Sequence, residues 1–204
     1  MNIFGFRISS VLFIIADLSE AETSLNIQFK NITYKLRLAL GPDAYLTEEE
    51  HYSFNRNLDY RYDVEIFQQR IEEAEASADL EKKVSALQEA IGLYLGPYLL
   101  DVESIWVLPE RQRLLRLYIN ALVNLAQIRL EQGSYDETFS YCEQILKEDN
   151  CYEEAYRLSM LAHAGLGNRA GIRRVCDHCR EVLLEELNAK PSDQTEELYR
   201  QLMR

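Results

Sequence analysis

Metal-ligating and redox-active side chains crowd together most in Cys176-Asp177-His178-Cys179. Two cysteines with a histidine between them suggest half of a zinc site or a thiol–disulfide couple. Zinc needs four ligands, however, and no second close pair of cysteine or histidine accompanies this one. His51 and His163 stand far away in sequence, and Cys142 and Cys151 are not grouped with another ligand. On a helix Cys176 and Cys179 lie one turn apart and share a face, which suits two small apolar side chains in a core. No serine or cysteine has a recognisable histidine-and-acid constellation, and no glycine-rich phosphate loop is present. The acidic runs Glu48-Glu49-Glu50 and Glu72, Glu73, Glu75 read as a solvated turn and a solvated helical face. The expectation is a protein that is not an enzyme, with no cofactor and no metal.

The elements that hold these residues explain the cysteines. Tyr118 and Tyr152, Ala121 and Ala155, Gly133 and Gly167, and Cys142 and Cys176 are four identical pairs, each 34 residues apart. That spacing is the period of a tetratricopeptide repeat, a hairpin of two helices. Cys142 and Cys176 therefore occupy equivalent core positions. A unit of this kind cannot bury its apolar face alone, so neighbours stack and leave a concave surface for a partner.

Length and composition agree with a helical protein. The chain has 204 residues, with only 8 glycines and 4 prolines, and its second half is rich in Leu, Ala, Glu, Gln and Arg, which favour helix. The net charge of −12 repels phosphate backbones, so nucleic-acid contact requires a local patch. No apolar stretch is long enough to span a membrane. The apolar run Val11–Ala16 is short for a secretory signal and lacks a cleavage site. A cytoplasmic protein with reduced thiols is the reading that follows.

Met1 to Ala16 shows no clear period. From Leu18, with Ser19 as a cap, Leu25, Phe29, Ile32, Leu36 and Leu40 recur at helical spacing, and Gly41-Pro42 ends the run. Two alternating segments, Tyr45-Leu46-Thr47 and Tyr52-Ser53-Phe54, flank a polar turn and predict a β-hairpin. A helix followed by a hairpin is the rear half of a winged helix-turn-helix. Asn55 to Tyr62 reads as a linker. Asp63 then caps a helix with the stripe Phe67, Ile71, Ala74 and Ala78. The next helix carries Val84, Leu87, Ile91 and Tyr94 and stops at Gly96-Pro97, and Trp106 reads as a core anchor. Pro109 suits a first turn, ahead of the face Leu114, Tyr118, Ala121, Leu122, Leu125 and Ile128. Tyr135 to Lys147 returns after Gly133-Ser134, through Phe139, Cys142 and Leu146. Glu153 to Leu166 forms the second outward helix, and after Gly167-Asn168 the chain returns through Ile172, Val175, Cys179 and Leu183. Asn188 ends that helix in left-handed geometry. Pro191-Ser192 opens a last helix with Leu198, Tyr199 and Leu202. About seven helices are expected beyond residue 63. The tyrosines of the repeats, Tyr118, Tyr135, Tyr141, Tyr152 and Tyr156, read mostly as packing residues, with some on the concave groove.

From Asp63 onward the chain resembles the bacterial transcriptional activator domain of SARP-type regulators. The resemblance is carried in order by Ala90–Asp101 (AIGLYLGPYLLD), by Trp106 with Arg111, Arg113 and Leu114, by Glu153–Met160 (EEAYRLSM), by Gly165–Gly171 (GLGNRAG), and by Cys179–Tyr199 (CREVLLEELNAKPSDQTEELY). Asp17–Asn55 resembles the recognition helix and wing of the winged-helix domain that precedes this module in such regulators. Two features depart from the pattern. Too few residues precede Asp17 for the strands and two helices with which that domain begins. Residues 1–60 also hold five cationic against eight acidic side chains, three of the latter being the wing's Glu48, Glu49 and Glu50.

The resemblance implies a mostly α fold, a tetratricopeptide-like helical repeat domain with a small N-terminal partial winged helix made of helix plus β-hairpin. Residues 1–60 would be the partial winged-helix DNA-binding region and residues 61–204 the activator domain. It implies a transcriptional regulator that contacts promoter DNA and, through its repeats, dimerises or meets RNA polymerase or another regulator. A recognition helix would present Asn26, Lys30, Tyr34, Lys35 and Arg37 to the major groove, cations to phosphate and Asn to adenine. The alternative for these five is the solvated face of an ordinary amphipathic helix. The protein would then be a protein–protein interaction module that has lost DNA binding.

Overall fold

The structure, a computed structural model, describes residues 55–102 and 107–204, with the backbone of Tyr45–Glu48 and His51–Phe54 and the single positions Asn31, Tyr34, Lys35, Leu38, Gly41, Asp43 and Ile105. Trp106, Ser19 and most of the helix expected before Gly41 lie outside the described residues. The chain gathers into two compact units, Met1–Ile66 with Pro97–Leu108, and Phe67–Gly96 with Pro109–Arg204.

In the first unit Asn31, Tyr34, Lys35 and Leu38 are helical. Gly41 has φ +96°, the left-handed geometry expected of a helix-terminating glycine. Strands β1 (Tyr45–Glu48) and β2 (His51–Phe54) pair antiparallel, from Tyr45 opposite Phe54 to Glu48 opposite His51. The hairpin is thus one residue longer on each side than the alternation suggested, because Glu48 and His51 join the ladder. The Asn55 amide closes its base by donating to the Asp43 carbonyl at 3.0 Å. The following segment is tied down as well. The Tyr60 hydroxyl donates to Glu65 at 2.8 Å, and the Tyr62 and Tyr98 hydroxyls meet at 3.3 Å. Leu99 is buried with φ +50°.

Seven helices follow the hairpin among the described residues: α1 (Asp63–Ala76), α2 (Leu80–Leu93), α3 (Val107–Glu131), α4 (Tyr135–Glu148), α5 (Glu153–Gly165), α6 (Arg169–Leu187) and α7 (Asp193–Leu202). Within the second unit α1 buries Phe67, Ile71 and Ala74, as its spacing predicts. Ala78 is a correction, because it is exposed and outside the helix. The Ser77 hydroxyl both accepts from the Asp79 N–H and donates to the Asp79 carbonyl, folding residues 77–79 into a turn. Asp79 then caps α2 by accepting from the Glu81 and Lys82 N–H groups at 3.0 and 3.3 Å. The buried stripe of α2 is Ala86, Leu87 and Ala90, while Val84 and Ile91 are only half buried. Ala90 is wholly buried and Leu87 nearly so, with Ala86 the most exposed of the three. Tyr94 falls just past the helix end and stacks on Tyr118 with ring centroids 4.1 Å apart.

The repeat is legible in backbone detail. Helices α3 and α5 end, and α4 and α6 begin, at positions 34 apart. After α3 the Gly133 and Ser134 N–H groups bond to the carbonyls of Leu130 and Arg129. After α5 the Gly167 and Asn168 N–H groups bond to Ala164 and His163. Both closures are Schellman motifs, and both require φ near +70°, supplied by Gly133 (73°) and Gly167 (67°). The two hairpins bury the same positions, Ala121 with Ala155, Leu122 with Tyr156, and Cys142 with Cys176. Fully burying a side chain such as Leu122 or Leu125 contributes about 1.5–3 kcal/mol, so the stacked faces hold the module together. Helix α5 packs against α4, α6 and α7, and α6 against α7. Helix α7 closes the stack, with Leu198, Tyr199 and Leu202 covering Met160, Ile172 and Cys176. Asn188 ends α6 at φ 49°, ψ 39°, as its position predicts.

Candidate docking groove

The first helices of successive hairpins, α3 and α5, together with α7, line a groove of about 510 Å³ in the second unit. Its apolar side is made by Leu130, Leu158, Leu161 and Leu198, and its polar side by Gln127, Glu131, Glu154, Arg157, Gln194, Glu197 and Gln201. Gln127 and Leu161 are repeat equivalents, so the 34-residue period places one groove position from each hairpin on the same surface. Among the described residues no tyrosine lines it. The expectation of tyrosines there is corrected for geometric reasons: Tyr118 stacks on Tyr94, Tyr141 accepts from the Gln88 amide at 3.4 Å, and the Tyr156 hydroxyl donates to the Asn150 carbonyl at 2.9 Å. Tyr135 lies so close to Gly165 that a Cβ there would stand 2.3 Å from its ring.

The lining residue Arg157 is joined by a carboxylate from outside the lining. Glu153, at the start of α5, accepts from the Ser192 N–H at 2.9 Å, the Ser192 hydroxyl at 2.7 Å and the Thr195 hydroxyl at 2.5 Å. Ser192 precedes α7 without capping it through its own side chain, so the Glu153 carboxylate sits at the positive end of that helix. Burial works to raise the Glu153 pKa, but these hydrogen bonds and the Arg157 charge outweigh it and hold the carboxyl below its ordinary value. Arg157 reaches Thr195 at 3.0 Å and Glu154 at 3.5 Å, while Gln127 donates to Glu154 at 3.0 Å. At the back of α7, Arg180 forks onto Glu196 at 2.8 and 2.7 Å and lies 5.0 Å from the Tyr199 ring centroid. That hydrogen-bonded pairing lowers the Glu196 pKa.

The Cys-Asp-His-Cys stretch does not form a site. Cys176 and Cys179 are wholly buried, in separate apolar clusters, and Cys142 is buried likewise. Burial pushes the Cys142 thiol up to about 11 and the Cys179 thiol up to about 12, which leaves both protonated and unreactive. His178 meets the Tyr156 ring edge-on at 5.9 Å, and His163 lies 4.6 Å from the Phe139 ring. Among the described residues no group of histidine, cysteine and acid side chains could hold a metal ion. Glu72, Glu73 and Glu75 are exposed along α1. Of the five residues assigned to DNA contact, Tyr34 and Lys35 are helical and exposed, and Asn26, Lys30 and Arg37 lie outside the described residues. The groove residues were missed in the sequence, where Gln127, Glu154, Gln194 and Gln201 look like any solvated helical positions. For Gln127 and Glu154 the available signal was their place on the first helices of the repeat; Gln194 and Gln201, on α7, carried none.

Antiparallel helix pairs repeating every 34 residues, closed by a terminal helix and leaving a groove along their first helices, define a helical-repeat module. The model of the family described as the bacterial transcriptional activator domain matches residues 62–203, and the chain belongs to that family. A comparison with curated proteins finds no match. The family is associated with transcriptional activation and is regulatory, not enzymatic. Among the described residues no helix is long and apolar enough to cross a membrane.

Proposed function

We propose that the protein is a cytoplasmic transcriptional regulator in which a winged-helix segment within residues 1–60 contacts promoter DNA and the helical repeats dimerise or dock RNA polymerase or another regulator. The observation that carries this reading is the family match over residues 62–203, directly after a helix and an antiparallel hairpin in the order of a recognition helix and wing. The exposure of Tyr34 and Lys35 on a helix supports their assignment to DNA, together with Asn26, Lys30 and Arg37. An electrophoretic shift against promoter fragments, repeated across salt concentrations, tests it. Each neutralised phosphate contributes a slope of about −0.9 in log affinity against log salt, so Lys35→Ala should flatten the slope by about 1.

A second reading is an interaction module without DNA binding. It is favoured by the excess of acidic over cationic side chains in residues 1–60 and by the consecutive glutamates Glu48, Glu49 and Glu50. Absence of any shift at low salt would select it.

A further inference from the structure

The groove has a chemical bias that stacking of helices does not require. Its polar lining holds three carboxylates and three glutamines against a single described cation. Glu131, Glu154 and Glu197 contribute carboxylates, of which Glu154 pairs with Arg157 and Glu197 with Arg200. Gln127 and Gln201 each commit one amide N–H to Glu154 and Glu197, at 3.0 and 3.1 Å, which leaves the amide oxygen and the second N–H to a ligand. Arg157, the only cation among the described lining residues, is already engaged by Thr195, Glu154 and Glu153. Glu131 is exposed and has no ion-pair partner among the described residues. Beside these groups lie Leu130, Leu158, Leu161 and Leu198, an apolar floor.

We infer that this groove docks an extended basic peptide segment of a partner protein, with aliphatic side chains on the leucine floor and Lys or Arg at Glu131 and the neighbouring carboxylates. Charge complementarity selects the sign. An acidic segment or a phosphate backbone would meet the unpaired Glu131 beside two carboxylates, Glu154 and Glu197, whose cations Arg157 and Arg200 are already engaged, with no uncommitted cation in the described lining to receive it. The glutamines select the conformation. Side-chain amides pair with backbone N–H and C=O groups that lack partners, as in an extended chain, whereas a helix has satisfied its own. The inference deepens the reading of the repeats as a partner-docking module and rests on it.

The test uses the full chain and short fluorescein-labelled peptides read by anisotropy. One peptide intersperses Leu, Ser and Lys, one replaces Lys with Glu, and one replaces Leu with Ser. The Leu/Lys peptide should bind, more weakly as salt rises, and the other two should not. Glu131→Lys should weaken binding by about fivefold to tenfold, the loss of one exposed ion pair and the gain of a repulsion. Glu72→Lys changes the net charge equally, from −12 to −10, but lies on exposed α1 outside the groove, and should leave affinity nearly unchanged. Leu161→Ala, without change of charge, should also weaken binding. Equal effects of Glu131→Lys and Glu72→Lys would reduce the interaction to overall charge and overturn the inference. Preferred binding of the Leu/Glu peptide would overturn the partner's chemistry while keeping the groove. No peptide binding, with a self-association in sedimentation that Glu131→Lys abolishes, would assign the groove to a second copy. No binding and no such association would remove docking here altogether. The promoter-shift assay on the same protein reports separately on the regulator reading, since none of these substitutions touches residues 1–60.

Discussion

Replacing Glu153 with alanine should loosen α7 from the repeats. The carboxylate accepts three hydrogen bonds from Ser192 and Thr195, two of them from hydroxyls and one from a backbone N–H that nothing else caps. Thr195 is wholly buried, so its hydroxyl cannot recover the loss from water and keeps only Arg157 and Ser192 as neighbours. A hydrogen bond to a charged acceptor contributes about 1.5–3 kcal/mol. The three share one carboxylate and are not additive, so about 2–4 kcal/mol is expected for the cluster. In a chain of this length each kcal/mol moves the midpoint by about 2–4 °C, which places the fall in Tm at roughly 4–16 °C. Urea titration and thermal melting followed by far-UV circular dichroism measure it. Glu154→Ala, one residue along, removes only half-exposed contacts with Arg157 and Gln127 and should cost under about 1 kcal/mol. Because α7 is the terminal helix, amide exchange should accelerate first in residues 193–202. The pH dependence follows from the lowered Glu153 pKa: the contribution is fully present above the ordinary carboxylate value and is lost as pH falls through the depressed folded value. The reasoning is refuted if Glu153→Ala and Glu154→Ala melt together, or if the Glu153→Ala deficit persists at a pH where both wild-type states are protonated.

Three further outcomes are expected. Gly133→Ala and Gly167→Ala should each destabilise by about 1–2 kcal/mol in urea titrations, because both positions hold left-handed φ; open space around each means that strain, not collision, is the cause. In the folded protein iodoacetamide should modify half-buried Cys151 before Cys142, Cys176 and Cys179, as mass spectrometry of peptides will show; unfolding in urea should make all four react alike. Burial, aided by Arg174, lowers the His163 pKa, so the unfolded state takes up the proton first and stability should decline as pH drops below the ordinary histidine value; His163→Gln, followed by melting across pH, should flatten that slope.

Much of the helical architecture could be read from the order of residues. The 34-residue pairs located both Schellman turns, since a glycine recurring at one register marks a left-handed bend, and the core face of α3 followed from spacing alone. The cysteines were legible as packing residues because Cys142 and Cys176 share a repeat position. The buried stripe of α2 was legible only in part. Periodicity weights large apolar side chains, and of these Leu87 is buried while Val84 and Ile91 are half buried; the small Ala86 and Ala90 complete the stripe. Tyr118, Tyr141 and Tyr156 carry no sequence mark that tells a stacking tyrosine from a groove tyrosine, because the ring's direction depends on which helix lies opposite.

The sequence by itself determined the repeat, the turns that close its hairpins and the family, because these rest on short-range chemistry: a glycine with positive φ, apolar residues one turn apart. Only the tertiary structure decided which polar residues meet. Glu153 finds Ser192 and Thr195 some forty residues on, Arg180 finds Glu196, and Gln127 shares a groove with Gln201. A polar side chain on a helix reads the same whether it faces water or a neighbour, and stacking of the helices makes that choice.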